Sequence, residues 1–364
     1  MKVIQLVPHP PTHFGGISTY SLKLAEALFQ EHGIFTEFII YESSFQNFPI
    51  PIETEIKGFP ITILSEETPK GCLSLLTEQN FPAIILHYHQ PASGRFSSLY
   101  WLLKGLQLAT ALHKFPLIVI FHELSLTFSV RNIKIFHPLR LLAGRGIART
   151  ADTIVTASAG FQDLVSKWVK HPVKCLSVIS NIGEPENVPI LEERKRRMII
   201  FGREYSRERV YKKYLREVLL CCENLKIEEI YDIGSPGVKL PNLNEIRIVD
   251  IGEQPPEVVS QLMLTSLAGF FDYSHCPGDL GKSGIFAAYC AHGLIPISSV
   301  YNPSESTGLS LNKHYVIANE QLKNMDYIHL QSIADNAFNW YSNHNIAEHT
   351  KIFATSLKKE LAEK

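Results

Sequence analysis

Short apolar runs rich in β-branched residues alternate with helical patterns along almost the whole chain, in two successive series. The runs of the first series are KVIQLVP, FTEFIIY, FPAIILHYH, PLIVIFHE and ADTIVTASA. Those of the second are RMIIFGRE, IEEIYDIGS, NEIRIVDIG, LAGFFDY, GLIPISSV and HYVIA. Buried apolar strands that alternate with helices predict βαβ units and parallel sheets. The alternation therefore predicts an α/β fold with two Rossmann-like, doubly wound domains.

The length and the polar segment between the two series set the expected domain boundaries. At 364 residues the chain is longer than one ordinary hydrophobic core accommodates. The segment 181–197 is polar and broken by prolines, which is typical of a linker between domains. We expect a first domain at residues 1–183 and a second at residues 184–344.

Composition excludes several classes of protein. A net charge of −1 and 45% apolar residues are typical of an ordinary soluble globular protein and do not indicate a nucleic-acid partner. The six cysteines are scattered without C-x-x-C spacing, which argues against a zinc site or a disulfide framework and favours a reducing, cytoplasmic setting. No run of about 18 apolar residues is present, so no membrane span is expected.

The loop after the first strand contains a glycine pair. In open parallel sheets, ligands bind beyond the carboxyl ends of the strands, so the loops there are the candidates for chemistry. Gly15 and Gly16 lead into a helix that Ser18 or Thr19 is expected to cap and Gly33 to end. Such a loop can cradle a phosphate with backbone N–H groups. A tight βα turn with glycines for packing has the same spacing, and the sequence does not separate the two.

Two strand ends in the first series carry histidines. His122 and Glu123 end one apolar run, and His87 and His89 end another. A histidine in such a position can hydrogen-bond a substrate hydroxyl or transfer a proton. It can equally be bonded to a nearby carbonyl group with no chemical role. The histidines lie on separate elements without helical H-x-x-x-H spacing, so no metal is expected.

A cationic cluster follows the first strand of the second series. Arg203 comes directly after the strand, and Arg207, Arg209, Lys212 and Lys213 follow within the next helical stretch. Arginine binds a diphosphate bidentately and lysine binds it as a point charge. The alternative is a solvated helix face, which we expect for at least half of these side chains but not for Arg203.

The stretch GDLGKSGIFAAYCAHG, residues 278–293, is a glycine-lysine loop that runs into a small-residue helix. The loop residues are Gly281, Lys282, Ser283 and Gly284, and the helix is expected from about 285 to 292. Exposed N–H groups, a positive helix end and a lysine favour a phosphate site, although the spacing is not that of a P-loop. A structural turn with a surface lysine is the alternative.

These segments together resemble the GT-B glycosyltransferases, and more narrowly the retaining group-1 enzymes of glycosyltransferase family 4. The similar segments, which span nearly the whole chain, are HFGGISTY, FHEL, TIVTASAGFQDLV, ISNIGEP, FGRE, LAGFFDYS and GLIPISS. The resemblance implies two domains that face each other across a cleft. The nucleotide sugar would bind the second domain and the acceptor the first. The last helix, from about 345 to 364, would return to the first domain.

The resemblance also implies roles for individual residues. The backbone of Gly16 would approach the donor diphosphate, Arg203 and Lys282 would neutralise it as it leaves, and His122 would face the transferred sugar. The other expected donor-binding residues are Gly15, Arg207, Arg209, Gly281, Ser283 and Gly284. The acceptor-side candidates are His87, His89 and Glu123. The expected donor is a UDP-hexose of the glucose type, the acceptor a glycan or lipid-linked sugar in polysaccharide assembly, and no metal or other cofactor is implied.

The sequence departs from the family at two places. The family has two glutamates eight positions apart in the stretch around Lys282, where this chain has Leu280 and Ala288. Ribose recognition and sugar placement must then differ. The family also has a lysine about five residues after the arginine, where this chain has Glu208, and Arg207 or Arg209 is the expected substitute.

Three alternatives remain open. The missing glutamates suggest a GT-B protein that binds a nucleotide or glycan without transferring sugar. A sugar-nucleotide epimerase shares the architecture, although no acid/base carboxylate pair is evident. Residues 130–149 mix basic and bulky apolar side chains, which favours either peripheral binding to the inner membrane surface or an ordinary amphipathic helix that faces its own core.

Overall fold

The computed structural model divides the chain into two compact units. The first unit consists of Met1–Leu176 with Ile346–Lys364, and the second consists of Ser177–Asn345. The sequence-based boundary at 183/184 lies a few residues after the observed one. The structure describes residues 1–12, 15–42, 54–78, 83–90, 98–130, 133–243, 246–274, 276, 278–302 and 307–363.

The first unit is built on an eight-stranded sheet. Its strands are β1 (Lys2–Val7), β2 (Phe35–Ile40), β3 (Glu55–Ile56), β4 (Phe59–Ile63), β5 (Ile84–Gln90), β6 (Leu117–Leu124), β9 (Thr153–Thr156) and β10 (Val173–Cys175). The order is β10-β9-β6-β5-β1-β2-β4-β3, and every pair is parallel except β3 with β4. A separate antiparallel hairpin joins β7 (Thr127–Val130) to β8 (Ile133–Phe136). The central strands are almost wholly buried, as their continuous apolar runs require.

Five helices of the first unit lie between these strands in the chain: α1 (Gly16–His32), α2 (Pro69–Glu78), α3 (Tyr100–His113), α4 (Pro138–Thr150) and α5 (Ala159–Ser166). The expectation that Ser18 or Thr19 caps α1 is wrong. The helix begins at Gly16 without a side-chain cap, and Ser18 is already buried in its first turn. Gly33 ends the helix as expected, with a positive φ of 63° that glycine adopts without steric cost.

The second unit is built on a six-stranded, entirely parallel sheet. Its strands are β11 (Lys195–Phe201), β12 (Glu229–Ile233), β13 (Arg247–Gly252), β14 (Ser266–Phe271), β15 (Ile295–Ser298) and β16 (Val316–Ile317). Their order is β13-β12-β11-β14-β15-β16. The helices are α6 (Glu204–Lys213), α7 (Leu215–Leu225), α8 (Pro256–Leu264), α9 (Gly284–Ala291) and α10 (Tyr327–Ser342). The carboxyl ends of β11 and β14, neighbours at the centre, therefore lie side by side.

The last helix, α11 (Ile346–Glu363), belongs to the first unit and packs against α1. The Thr350 hydroxyl donates a hydrogen bond to the Glu31 carboxylate at 2.7 Å, which fixes the register between the two helices. Residues from the far end of the chain thereby reach the strand ends of the first sheet. No helix among the residues described is long and apolar enough to cross a membrane.

Candidate donor and acceptor sites

A chain of hydrogen bonds crosses three neighbouring strands of the first sheet, from β1 through β5 to β6. His87 Nε2 lies 2.7 Å from Gln5 Oε1, and His87 Nδ1 lies 2.9 Å from His122 Nε2. The two imidazole rings are nearly parallel, with centroids 5.1 Å apart. His87 is completely buried and His122 is half-buried. Two of the predicted site residues, His87 and His122, are thus brought into direct contact.

The protonation states along this chain follow from the hydrogen-bond partners. Burial lowers the pKa of His87 from 6.5 to about 3, so its imidazole is neutral at physiological pH. The Gln5 amide nitrogen donates to Thr36 Oγ1, which leaves Gln5 Oε1 to accept the His87 Nε2–H. His87 Nδ1 must then accept the Nε2–H of His122. In neutral His122 the remaining ring nitrogen, Nδ1, is therefore the basic one.

Tyr20 of α1 and His349 of α11 complete this aromatic cluster. The Tyr20 ring makes edge contacts with the rings of His87, His122 and His349 at centroid distances of 5.9, 5.4 and 5.8 Å. Its hydroxyl is hydrogen-bonded to His349 Nδ1 at 3.0 Å, and burial raises its pKa, so it stays protonated. These contacts hold the His122 ring in one orientation.

A second polar group lies at the same edge of the first sheet. Its members are His9, after β1; Glu42, after β2; and His89, near the end of β5. One ligand atom of each lies within 4.8 Å of the others, a spacing that can hold a metal ion. His9 Nδ1 is 3.4 Å from Glu42 Oε2. The sequence analysis expects no metal, and that remains a prediction. Glu123 pairs with His89 across the strands and is also half-buried.

The glycines at the start of α1 are open to an approaching ligand. Apart from the two neighbouring residues and the backbone of α1 itself, no atom of the described residues lies within 4 Å of a Cβ built on Gly16. Gly16 is exposed, and Gly15 precedes it in an extended conformation. Packing therefore does not require a glycine at position 16, which favours close backbone approach over a tightly packed turn. The two preceding residues, His13 and Phe14, lie outside the described part of the chain.

In the second unit, the end of β11 and the start of α9 are in contact. A Cβ on Gly202, whose φ is 135°, would lie 2.7 Å from the Ile285 side chain. Arg203 follows Gly202, stands at the first turn of α6 and is exposed. Lys282 ends a short 3-10 turn directly before α9 and is half-buried. Two of the predicted donor-binding cations therefore lie on adjoining loops at a helix N-terminus.

The N-terminus of α9 presents its backbone to this edge of the sheet. Its first intrahelical hydrogen bond runs from Ala287 N–H to Ser283 O, so the N–H groups of Gly284 and Ile285 have no partner within the helix. The nearest atom to a Cβ on Gly284 would be 3.9 Å away. Ser283 is buried, and its hydroxyl accepts the Phe286 N–H at 3.2 Å. Ser283 thus acts as a helix cap.

Gly281 has a packing role. Its carbonyl accepts the Val178 N–H at 2.9 Å, and a Cβ there would lie 2.6 Å from Ser177 Oγ. Gly281 is buried, so only its backbone is available to a ligand. Its predicted contact with the donor remains a prediction, but the close packing alone accounts for glycine at this position.

Tyr289 anchors α9 to the sheet. A Cβ on Gly269 of β14 would lie 2.6 Å from the Tyr289 ring, so only glycine allows the helix to approach this closely. The Tyr289 hydroxyl accepts the Phe201 N–H at 3.2 Å and lies within hydrogen-bond distance of the Ile199 and Phe270 carbonyl groups. This anchor fixes the helix N-terminus relative to the ends of β11 and β14.

Arg207 has partners within the protein itself, and its predicted role as a donor ligand remains a prediction. It is 2% exposed, forms a buried ion pair with Asp232 and donates to the Ser235 carbonyl group. Its Nε–H also donates to the Gly202 carbonyl group at 2.9 Å. The guanidinium is therefore directed at the protein and shapes the turn that presents Arg203. Burial raises the pKa of Asp232 although the Arg207 charge lowers it.

Arg209 links α6 to the end of β14. Its guanidinium contacts Asp272 Oδ2 at 2.6 Å and Ser274 Oγ at 2.5 Å. Asp272 is buried and also accepts the Ser299 hydroxyl at 2.7 Å. Arg209 thus lies against the segment that follows β14, with part of its donor capacity already in use. Its role as a donor ligand remains a prediction.

The residues at the missing glutamate positions lie in the core. Leu280 and Ala288 are both completely buried within an apolar cluster of the second unit. Carboxylates at these two places would be desolvated without a partner in that cluster. The sequence departs from the family there in a way that the surrounding packing accommodates.

No protein-family model and no curated protein matches the chain. Solved structures do match over the full length. HepE of Anabaena in complex with UDP-glucose has a TM-score of 0.60 at 13% identity and covers 99% of this chain and 100% of its own. A glycosyltransferase from Rickettsia africae ESF-5 has a TM-score of 0.58 at 13% identity, with coverages of 100% and 99%.

An α-glucosyltransferase in complex with UDP and a 13-mer DNA containing a HMU base matches with a TM-score of 0.59 at 14% identity, over 98% of this chain and 99% of its own. At such low identity these similarities establish the fold alone. The prediction of two Rossmann-like domains of the GT-B type is confirmed.

Gln5, Tyr20 and His349 are absent from the sequence-based site. Gln5 could have been noticed in the sequence, because it is a polar residue inside the otherwise apolar run VIQLV. The sequence around His349 does not indicate a site residue, because nothing local connects the last helix with the ends of β5 and β6.

Proposed function

We propose that the protein is a glycosyltransferase that moves a hexose from a UDP-sugar to a hydroxyl group of a glycan or lipid-linked sugar. The observation that carries this proposal is the contact between Gly202 and Ile285. It brings exposed Arg203, Lys282 and the open N-terminus of α9 to one edge of the second sheet. Such a combination suits a diphosphate. Nucleotide complexes of structures that share the fold support UDP as the base.

In the proposed reaction, Arg203, Lys282 and the α9 N–H groups stabilise the charge that develops on the departing UDP. Fixed donors directed at a developing charge are typically the largest contribution to catalysis. These cations neutralise the negative charge of the departing UDP, as a metal ion does in other enzymes. The proposed reaction therefore uses no metal or organic cofactor. From the resemblance, the open backbone of Gly16 in the first unit is also proposed to bind a phosphate group of the donor.

We infer retention of anomeric configuration, and membership of glycosyltransferase family 4, from the resemblance of the motifs. His122 is proposed to face the transferred sugar and to hydrogen-bond its hydroxyl groups. The proposed retaining reaction forms no covalent intermediate with a protein nucleophile. In it, the donor phosphate is proposed to take the acceptor proton. His89 and Glu123 are proposed on the acceptor side, where they lie near the ends of β5 and β6.

The buried positions of Leu280 and Ala288 favour a second candidate function, a GT-B protein that binds a nucleotide or glycan without transfer. Neither side chain can contact a sugar or a ribose as a glutamate would. Only the first candidate transfers sugar, so an assay of turnover separates the two.

The test is a nucleotide-release assay with UDP-glucose, UDP-galactose, GDP-mannose and ADP-glucose, each offered with glycan, lipid-linked sugar and DNA acceptors. We expect release of UDP with a saccharide acceptor, and a proton NMR spectrum of the product that shows retained configuration. Lys282→Ala should lower kcat/KM by about 10²-fold. Lys195→Ala, at the opposite end of β11 from Arg203, should leave it unchanged.

UDP binding without transfer to any acceptor would favour the second candidate. Glycosylation of the DNA acceptor alone would retain the enzyme class but overturn the proposed acceptor. No interaction with any nucleotide would overturn the transferase and leave only a glycan-binding form of the second candidate.

A further inference from the structure

The stretch from residue 124 to residue 151 contains no aspartate or glutamate. Its five basic residues are Arg131, Lys134, Arg140, Arg145 and Arg149. The hairpin β7–β8 and helix α4 lie within this stretch. Arg131 and Asn132 fall outside the residues that the structure describes. A chain with a net charge of −1 has thus concentrated positive charge in one continuous stretch.

Large apolar side chains in the same stretch are exposed to solvent. Ile135 and Phe136 on the hairpin are 40% and 52% exposed, and Leu139 and Leu142 on the first turns of α4 are 45% and 51% exposed. Lys134 and Arg145 are also exposed. Together these six residues form what we call the basic-apolar surface. Single exposed leucines are common, but four large apolar residues that are exposed within eight positions of the chain, together with two exposed cations, indicate a binding surface.

Helix α4 already has a separate face for its own core. Gly144, Ile147 and Ala148 are buried on a side of the helix that is turned away from Leu142, and Ala143, four residues after Leu139, is buried at the boundary between the two faces. The alternative of an ordinary amphipathic helix explains the buried face. It does not explain the exposed leucines, because the core contacts of α4 are complete without them.

The hairpin and the helix form one rigid support for this surface. Arg140 is completely buried and donates to the Thr127 carbonyl group at 2.7 Å. The His137 N–H donates to the Leu126 carbonyl group at 2.9 Å. These two hydrogen bonds fix the base of the hairpin to the first turn of α4.

We propose that the basic-apolar surface docks on an anionic lipid bilayer. Its apolar side chains would enter the boundary between headgroups and acyl chains, and its cations would bind the headgroups. A nucleic acid would satisfy the charges, but phosphate backbones offer nothing to four large apolar side chains. An anionic lipid surface offers partners both to the apolar side chains and to the cations. This inference is independent of the transfer reaction.

The test is co-sedimentation of the whole protein with vesicles of phosphatidylcholine alone and of phosphatidylcholine with phosphatidylglycerol. We expect binding to the anionic vesicles that weakens with salt. Phe136→Ser with Leu139→Ser, and separately Lys134→Glu with Arg145→Glu, should each weaken that binding at least tenfold. A matched control is Val258→Ser with Ile328→Ser, which replaces exposed apolar residues of the second unit and should change nothing.

The substituted side chains are exposed, so far-UV circular dichroism and the Tm should match the unaltered protein. The inference is overturned if the protein does not bind anionic vesicles, or if the control weakens binding as much as the test variants do. It is also overturned if the protein binds a duplex oligonucleotide more tightly than vesicles, with an affinity that Phe136→Ser and Leu139→Ser leave unchanged.

Discussion

The buried imidazole of His87 makes the stability of the first unit dependent on pH. Its pKa is about 3 in the folded protein, against 6.5 for an exposed histidine, because burial disfavours the charged form. Between these values the unfolded chain binds a proton that the folded chain does not. The free energy of unfolding contributed by His87 is therefore complete above pH 6.5 and falls as the pH is lowered. At pH 5 the loss is about 2 kcal/mol, from about 1.36 kcal/mol per pH unit.

The assay is urea unfolding of the protein at a series of pH values from 7.5 to 5, compared with the variant His87→Gln. A glutamine side chain keeps an N–H donor for Gln5 Oε1 but does not titrate in this range. Replacing Trp340 by Phe in both proteins leaves Trp101 and Trp168, so fluorescence then reports the first unit. The contributions of carboxylates that both proteins share cancel when the two free energies of unfolding are subtracted. We expect the stability advantage of the histidine protein over the variant to shrink by about 2 kcal/mol between pH 7.5 and 5.

A parallel pH dependence in the two proteins would refute the reasoning. So would an NMR titration that gives His87 an ordinary pKa, because the imidazole would then be solvated or partnered by an acceptor at both nitrogens. Either result would also remove the argument that Nδ1 is the basic nitrogen of neutral His122.

Three further substitutions test the second unit. Arg207→Met removes the charged partner of the buried Asp232 carboxylate, which keeps the Tyr211 hydroxyl as a donor, and should lower the free energy of unfolding by about 3–5 kcal/mol in urea; an unchanged value would mean that the ion pair is dispensable. Gly269→Ala should destabilise by about 1–3 kcal/mol in thermal unfolding, because the new methyl group meets the Tyr289 ring; a stabilised protein would contradict the close approach of α9. Ser283→Ala should cost about 1 kcal/mol through loss of the helix cap while UDP affinity stays the same, and a large loss of affinity would restore Ser283 as a ligand.

The fold was predictable because its signals are local. Continuous apolar runs between helical patterns identify buried parallel strands, and glycines such as Gly33 and Gly293, both with positive φ, mark where helices end. The start of α1 was mispredicted because Ser18 is a good capping residue in sequence but is buried in the first turn of the folded helix. Burial in the fold outweighs local capping preference there.

The candidate site was predictable only in part, because its contacts join distant residues. His87 and His122 could each be placed at a strand end from their runs alone. Their connection to Gln5, and the seating of Tyr20 against His349, depend on sheet order and on the return of the last helix. Arg207 looked equivalent to Arg203 in sequence. The difference arises from Asp232, which lies on another strand and buries one guanidinium while the other remains exposed.

The central claim is that the second unit binds a nucleoside diphosphate between Arg203 and Lys282 at the start of α9. Isothermal titration of UDP into the protein and into Lys282→Ala, with Lys195→Ala as the control, tests it most directly. A hydrogen bond to a charged group contributes about 1.5–3 kcal/mol, so Lys282→Ala should weaken UDP binding by roughly tenfold to a hundredfold. The control should bind as the unaltered protein does. Equal affinity of all three proteins for UDP would contradict the proposed site.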